Sequence, residues 1–196
     1  MSTRRRRTHS TKTCKKMFVS IYTSQDFKSN DGMLTGIWGP SMWHYLHTMS
    51  FNYPVHPTQA QKKHYRDFVL QLEYVLPCGK CRTNLKSNFQ KLPLTMKEMK
   101  SRETFSKYVF RLHELVNHML GKKSGLSYRD VRERYEHFRA RCKNTRKVGR
   151  STLGKHDEKG CVYPLTGVKS KCVLKIIPDS VKCDAISVDT TTQYSG

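Results

Sequence analysis

Two cysteines, Cys78 and Cys81, lie three residues apart in the stretch LPCGKC. Such a pair can supply half of a zinc site, close a small structural disulfide, or exchange electrons with a second dithiol. Zinc needs two further ligands at suitable spacing, and the sequence has no second Cys-x-x-Cys. A disulfide across two intervening residues closes too short a loop to add much stability. The pattern therefore favours redox chemistry over a metal site or a structural bridge.

The residue before this pair predicts where the two sulfurs lie. Pro77 interrupts the preceding helical pattern, so a new helix should begin at Cys78, with Cys81 one turn later on the same face. A helix N-terminus lowers a thiol pKa from about 8.5 toward roughly 3.5–7.5. We expect Cys78 to be the exposed sulfur that exchanges with incoming thiols, and Cys81 to be the inner one.

Apolar residues recur at helical spacing through the middle of the chain. They predict an all-α fold, a bundle of four long helices plus a short fifth, within residues 40–54, 58–76, 78–92, 101–121 and 127–142. Pro40 is expected near the first turn of the first helix. The buried face of the second is expected to comprise Tyr65, Phe68, Val69, Leu72, Val75 and Leu76.

Local signals mark the ends of several helices. Thr58 and Gln61 have the spacing of a capping box, as do Ser127 and Asp130. Gly121 is placed to stop the helix within 101–121.

The composition divides the chain into three parts. Residues 1–32 form a basic arm expected to be disordered, and residues 33–143 carry the helical domain. Residues 144–196 read as a linker and a cysteine-containing tail with short β-like pieces.

The chain is strongly basic. Lys and Arg number 37 against 15 Asp and Glu, a formal charge of +22, which favours anionic partners such as nucleic acid. No apolar run approaches the roughly 18 residues of a membrane span, and no signal-peptide core follows the basic start. These patterns predict a cytoplasmic protein without a membrane partner.

Aromatic and polar residues on two predicted helices could bind a planar ring. Trp43 and His47 lie four residues apart with Tyr53 after them, and His113 and Asn117 share a face of another helix. Each alone is more often an ordinary core or surface residue. Together they could stack on a ring and hydrogen-bond its edges beside the dithiol.

Three motifs in order, WGPSMWHYLHTMSFNYP, LPCGKC and LHELVNHMLGK, resemble the Erv/ALR family of FAD-linked sulfhydryl oxidases over about residues 36–142. The basic arm and the unrelated tail make the chain most similar to members from large cytoplasmic DNA viruses. The resemblance implies a helical bundle around FAD that forms disulfides in protein thiols. Electrons would pass through Cys78 and Cys81 to the flavin and then to O₂, giving H₂O₂.

The same resemblance implies which residues serve the site. Cys78 matches the cysteine that exchanges with substrate thiols, and Cys81 the one nearest the flavin ring. Positions matching the family's FAD contacts are Gly39, Trp43, His47, Tyr53, Cys81, His113, Asn117 and Lys122, with Tyr135 in place of a stacking Trp.

The chain also departs from the family pattern. Pro40 replaces an Arg, Glu114 replaces the first Asn of the His-Asn motif, and Ser127 falls near a structural cysteine of cellular members, leaving Cys142 without that partner. No second Cys-x-x-Cys serves as a shuttle, so the candidates are Cys14, Cys161, Cys172 and Cys183. A small tail hairpin closed by one disulfide is the simpler interpretation of the last three. No metal site is expected.

Two further expectations concern partners and alternatives. The family resemblance also implies a homodimer that pairs through the helices ahead of the redox site, and a viral member would be located in host cytoplasm or virion. The alternative functions are a basic nucleic-acid-binding protein and a structural virion protein, both without redox activity. Either alternative would leave the coincidence of the Trp43, Cys81 and His113 motifs unexplained.

Overall fold

The computed structural model describes residues 21–141, 161 and 163–165. Cys14, Cys142, Cys172 and Cys183 therefore lie outside the described residues. The chain divides at residue 31 into two units, each described by itself. The described part of the first contains one helical turn, α1 (Ser24–Phe27), closed by reciprocal hydrogen bonds between Thr23 and Asp26. The sequence pattern does not predict this turn.

The second unit confirms the all-α prediction of four long helices and a short fifth. These are α2 (Thr35–Phe51), α3 (Gln59–Val75), α4 (Gly79–Lys91), α5 (Arg102–Met119) and α6 (Tyr128–Glu136). Helix α2 begins five residues before Pro40, so the expected position of that proline in the first turn is wrong. Gly36 and Gly39 are weak helix formers, which hides the start of α2 from the sequence pattern.

The predicted helix ends are confirmed. Thr58 and Gln61 form the capping box of α3, and Ser127 and Asp130 that of α6. Gly121 follows α5 with a φ of +67°, a left-handed conformation that favours glycine.

The helices enclose one apolar core. Helix α2 packs on α5, α3 packs on α4, and the short α6 covers both α2 and α5. Two tyrosines anchor the core to loop carbonyls: the Tyr53 hydroxyl donates to Met99 O at 2.9 Å, and the Tyr108 hydroxyl to Leu92 O at 2.9 Å. Fully buried apolar residues include Val69, Met99, Phe105 and Val109.

The predicted apolar face of α3 is only partly buried. Val69, Leu72 and Leu76 lie in the core, but Phe68 is 40% exposed and Val75 is 66% exposed, so their predicted burial is wrong. Phe68 packs edge-on against the likewise exposed Tyr45 of α2, with ring centroids 6.0 Å apart. An open apolar groove results, lined by Trp38, Ser41, Met42, Tyr45, Phe68 and Pro77.

Arginines tie helix ends and loops together. Each of four guanidinium groups donates a hydrogen bond to a backbone carbonyl: Arg66 to Leu94, Arg82 to Leu76, Arg102 to Tyr53 and Arg139 to Phe51. Part of the basic surplus thus serves the fold itself.

A short two-stranded pairing follows α6. Strand β1 (Ala140–Arg141) runs antiparallel to β2 (Tyr163–Pro164), with Ala140 opposite Pro164. This agrees with the β-like piece predicted at CVYPL, and the second predicted piece, CVLKII, lies outside the described residues. Among the described helices, none combines the length and apolar character needed to cross a membrane.

Candidate active site

The two cysteines of LPCGKC form a disulfide at the start of α4, which confirms the predicted helix start. Their Cα atoms are 5.2 Å apart. Cys78 caps the helix: its Sγ accepts a hydrogen bond from the Cys81 N–H at 3.2 Å. Cys78 and Cys81 are both partly buried, so their exposure does not show which sulfur is the outer one. The outer role of Cys78 therefore stays a prediction.

The turn into α4 is held from the end of α3. The Cys78 N–H donates to Leu76 O at 2.8 Å, and the Arg82 guanidinium donates to the same carbonyl. The disulfide therefore lies at a fixed corner between two helices.

A second segment, Gly32–Thr35, lies against this corner. The Met33 N–H donates to Pro77 O at 2.7 Å. A Cβ built on Gly32 would come within 3.0 Å of Pro77 O and 3.1 Å of Cys78 Cα, so a side chain here would push these backbone atoms apart by a few tenths of an ångström. Thr35 Oγ1 lies 3.5 Å from Cys81 Sγ. Because a disulfide sulfur carries no proton, the threonine hydroxyl is the donor.

A cleft opens between α2, α5 and α6, with a volume of about 100 Å³. Four residues predicted from sequence line it together: His47, His113, Asn117 and Tyr135. Lining residues without a predicted cofactor role are Phe110, Glu114, Ser124, Leu126, Val131 and Arg134. Glu114 accepts a hydrogen bond from Asn117 Nδ2 at 2.9 Å, so this departure from the family pattern orients a predicted site residue.

The other predicted cofactor residues have different surroundings. Trp43 stacks on His113 with ring centroids 4.0 Å apart and an interplanar angle of 5°. Gly39 is buried one turn before Trp43, and the exposed Lys122 donates its backbone N–H to Asn117 O at 2.8 Å. Trp43 is therefore not a lining residue of the cleft but packs on His113, which is. Lys122 lies just beyond the end of α5.

Tyr53 does not line this cleft. It is fully buried, its hydroxyl is bound to the Met99 carbonyl, and its ring packs on Tyr65 and Phe105 at 4.8 and 5.0 Å. These contacts favour a role in the core over the predicted contact with a cofactor.

An aromatic wall closes the cleft on the side of α6. The Tyr135 ring stacks on His47 at 5.2 Å and on Phe51 at 5.3 Å. Its hydroxyl lies 3.2 Å from His44 Nδ1, and burial raises the pKa of Tyr135 to about 12. Tyr135 is therefore neutral and placed for stacking.

The buried His47 and the partly buried His113 form a pair, in which one nitrogen of His47 is unused. His47 Nε2 lies 3.0 Å from His113 Nδ1, whereas His47 Nδ1 is buried and has no hydrogen-bond partner. Whichever tautomer His47 adopts, Nδ1 is either an unused donor or an unused acceptor. Leaving such a group unpaired costs about 1–3 kcal/mol, which a bound ligand could recover.

Burial keeps this pair neutral. It lowers the pKa of His47 to about 3, with further lowering by the neighbouring His113 and His44. Burial also lowers the pKa of His113, against a smaller opposing effect of Glu114. His47 is therefore neutral near neutral pH, and protonation of His113 is disfavoured relative to an exposed histidine.

This pair predicts a loss of stability on acidification. Between about pH 6.5 and pH 3 the unfolded chain binds a proton at His47 that the folded chain does not, so the free energy of unfolding falls by about 1.4 kcal/mol per pH unit. Urea unfolding at a series of pH values should show a shallower fall for His47→Gln. The exposed-histidine variant His56→Gln should keep the wild-type slope, and equal slopes in all three proteins would contradict the assignment.

Of the tail cysteines Cys161, Cys172 and Cys183, only Cys161 is among the described residues. Cys161 is exposed and disulfide-bonded. A shuttle role for Cys14, Cys161, Cys172 or Cys183 stays a prediction. Within the described part of the chain, His, Cys, Asp and Glu side chains form no group of three that could hold a metal.

Relatives of known name match the helical domain. The chain is 39% identical over 99 residues to a probable FAD-linked sulfhydryl oxidase, R368, of Acanthamoeba polyphaga mimivirus, covering 50% of this chain and 68% of that protein. It is 36% identical to a putative FAD-linked sulfhydryl oxidase, 347L, of Invertebrate iridescent virus 6, covering 44% and 81%. With the FAD-linked sulfhydryl oxidase ERV1 of Arabidopsis thaliana the identity is 33%, covering 43% and 42%.

Among solved structures, the yeast Erv1 core has a TM-score of 0.49 and 23% identity, covering 61% of this chain and 95% of that one. The sequence model of the Erv1/Alr family matches residues 40–143, close to the span of about 36–142 predicted from the three motifs. More than half of the sequence is thus accounted for by one family, with the disulfide, the cleft and the aromatic stack all inside or beside the matched segment. The chain belongs to the Erv1/Alr family.

Proposed function

We infer that this protein is a FAD-dependent sulfhydryl oxidase that forms disulfide bonds in thiol substrates, with O₂ as the electron acceptor and H₂O₂ as the product. The observation that carries this inference is the Cys78–Cys81 disulfide at the N-terminus of α4, in a chain of the Erv1/Alr family. The three relatives named above bear the name FAD-linked sulfhydryl oxidase, as probable or putative in the two that are viral.

Disulfide formation in the substrate proceeds by two exchanges. A substrate thiolate attacks Cys78 Sγ, the Cys78–Cys81 bond breaks, and its electron pair leaves on Cys81 Sγ. The second substrate thiol loses its proton and attacks the mixed disulfide, releasing Cys78. The substrate thereby loses two electrons and two protons, and the enzyme holds a reduced Cys78 and Cys81.

The start of α4 favours the first exchange. The dipole of α4 places positive potential at the end that holds both sulfurs, which stabilises the negative charge that leaves on Cys81. The hydrogen bond that Cys78 Sγ accepts from the Cys81 N–H stabilises Cys78 when the second exchange releases it. The corner held by Arg82 and Leu76 keeps both sulfurs in place while the bond opens.

The residues of the cleft fit part of a FAD molecule. The unused His47 Nδ1 and the amide of Asn117 are polar groups that can meet a ring edge, and Trp43, His113 and Tyr135 offer faces for stacking. Gly39, Cys81 and Lys122 belong to the same set proposed from the family motifs. The cleft volume of about 100 Å³ is below the roughly 300–1,000 Å³ of cofactor pockets, so binding requires side chains at its mouth to move. Bound FAD supplies a two-electron acceptor that O₂ can reoxidise.

Oxygen uptake tests this function directly. With dithiothreitol, or with a reduced protein carrying several thiols, the purified chain should consume one O₂ and release one H₂O₂ for each disulfide formed. A control with free flavin and no protein gives the background rate of oxygen uptake. If the folded, flavin-containing protein shows no oxygen uptake above background, the assignment is refuted.

We also propose a homodimer that buries the apolar groove on α2 and α3. Tyr45 is 52% exposed and Phe68 is 40% exposed there, beside Trp38 and Met42. Phe68→Glu should shift the chain toward monomer in analytical ultracentrifugation because it places a charge in the interface. Gln90→Glu, an exposed position on α4, should not. A wild-type chain that sediments only as a monomer at working concentrations would reject the dimer.

The viral relatives support a setting in the cytoplasm of an infected cell or in the virion. The charge of +22 supports proximity to nucleic acid there. Fractionation of infected cells tests the setting, and recovery of the chain only from other compartments would reject it.

A further inference from the structure

We propose that Thr35 tunes the redox centre: its hydroxyl donates a hydrogen bond to Cys81 Sγ and stabilises the thiolate that Cys81 becomes when the disulfide opens. The disulfide is thereby made a stronger oxidant of substrate thiols. This inference rests on the proposed function for one point, that Cys81 is the sulfur that leaves.

The contact becomes stronger as the reaction proceeds. Thr35 Oγ1 lies 3.5 Å from Cys81 Sγ, and in the disulfide the sulfur is a weak, uncharged acceptor. When a substrate thiolate bonds to Cys78 Sγ, the electron pair of the broken S–S bond moves to Cys81 Sγ. Hydrogen bonds to a charged acceptor contribute more than those to a neutral one, so the reduced state gains more than the oxidised state. The hydroxyl proton stays on Thr35 throughout.

The position of Thr35 is fixed by its neighbours in the Gly32–Thr35 segment. The Met33 N–H is bound to Pro77 O, and the Trp38 indole N–H donates to Met33 O at 3.0 Å. The backbone of Gly32 lies directly on Cys78. The segment is thus attached to the residues that precede and begin α4, and the hydroxyl moves with the disulfide.

Thr35 also places a helix N-terminus next to the sulfur. It is the first residue of α2, and the N-cap residue, Leu34, offers no side-chain acceptor to the first-turn N–H groups. The positive end of α2 therefore lies beside Cys81, in addition to the positive end of α4 that carries the disulfide. Both act in the same direction, toward a stabilised thiolate.

The test compares Thr35→Val, which removes the hydroxyl and keeps the shape, with Thr35→Ser, which keeps the hydroxyl. Each full-length protein is equilibrated without oxygen in mixtures of reduced and oxidised glutathione at one pH. Free thiols are then alkylated, and the peptide containing Cys78 and Cys81 is quantified by mass spectrometry. This readout needs no turnover, and it separates the pair from the disulfide of Cys161.

For Thr35→Val we expect the equilibrium to shift about tenfold toward the disulfide, which for a two-electron couple is about 30 mV. Thr35→Ser should stay near wild type. Thr48→Val, which removes an exposed hydroxyl bound to His44 O on the same helix, should match wild type. Thr35→Ala replaces the valine variant if the latter does not fold.

An unchanged equilibrium in folded Thr35→Val, or an equal shift in Thr35→Ser, overturns the proposal. Failure of the proposed function is distinguishable, because it appears as absent oxygen uptake by wild type whatever the glutathione equilibrium shows. A shifted equilibrium without oxygen uptake would sustain the role of Thr35 and reject the oxidase.

Discussion

Cys81→Ser is expected to reduce dithiothreitol-dependent oxygen uptake to the rate without enzyme. The substitution removes Cys81 Sγ, the leaving sulfur of the Cys78–Cys81 disulfide. No exchange can then begin at this pair, and no electrons enter the protein through it. The measurement is oxygen uptake at equal flavin content. Serine has nearly the shape of cysteine, so the fold and the bound flavin should be retained.

Thr83→Ala is the control for this variant. Thr83 is exposed on the same helix, and its hydroxyl bonds only to Gly79 O at 3.2 Å among the contacts described. It should turn over at the wild-type rate. Substantial uptake by Cys81→Ser would mean that electrons reach oxygen without this disulfide, contrary to the proposed path.

His113→Ala is expected to weaken FAD binding strongly. It removes the ring stacked on Trp43 and the hydrogen-bond partner of His47 Nε2, leaving His47 with two unpaired nitrogens. An aromatic pair and one hydrogen bond together contribute about 2 kcal/mol, or roughly a thirtyfold loss of affinity. Titration of the flavin-free protein with FAD, followed by flavin fluorescence, measures the loss.

His118→Ala tests whether this effect is specific. His118 lies on the same helix but is exposed, so its replacement should leave FAD affinity unchanged. Equal affinity in His113→Ala and His118→Ala would place the cofactor away from this cleft.

Local signals were sufficient to predict much of the fold. Pro77 followed by Cys78 indicates a helix start, the Thr58 and Ser127 boxes indicate two more, and Gly121 indicates a stop. Each signal acts within one turn of the chain, so its physical effect can be read from neighbouring residues. The family motifs added His47, His113, Asn117 and Tyr135, which the fold brings to one cleft.

Contacts between distant segments could not be read in this way. Thr35 and Cys81 are 46 residues apart, and no periodicity links a threonine at one helix start to a sulfur at another. The helical period alone also places Phe68 and Val75 inside, although both are exposed in the folded chain. Tyr53 reads as a site residue from its motif, yet its hydroxyl is bound by the Met99 carbonyl in the core.

The most direct test of the central claim is the absorption spectrum of the purified full-length chain before and after dithiothreitol in the absence of oxygen. We predict a flavin absorbance that bleaches with the dithiol and returns when air is admitted, whereas Cys81→Ser keeps its colour under dithiol. A folded wild-type protein without flavin absorbance, or one whose bound flavin does not respond to the dithiol, would contradict the assignment of Cys78 and Cys81 as the entry point for electrons.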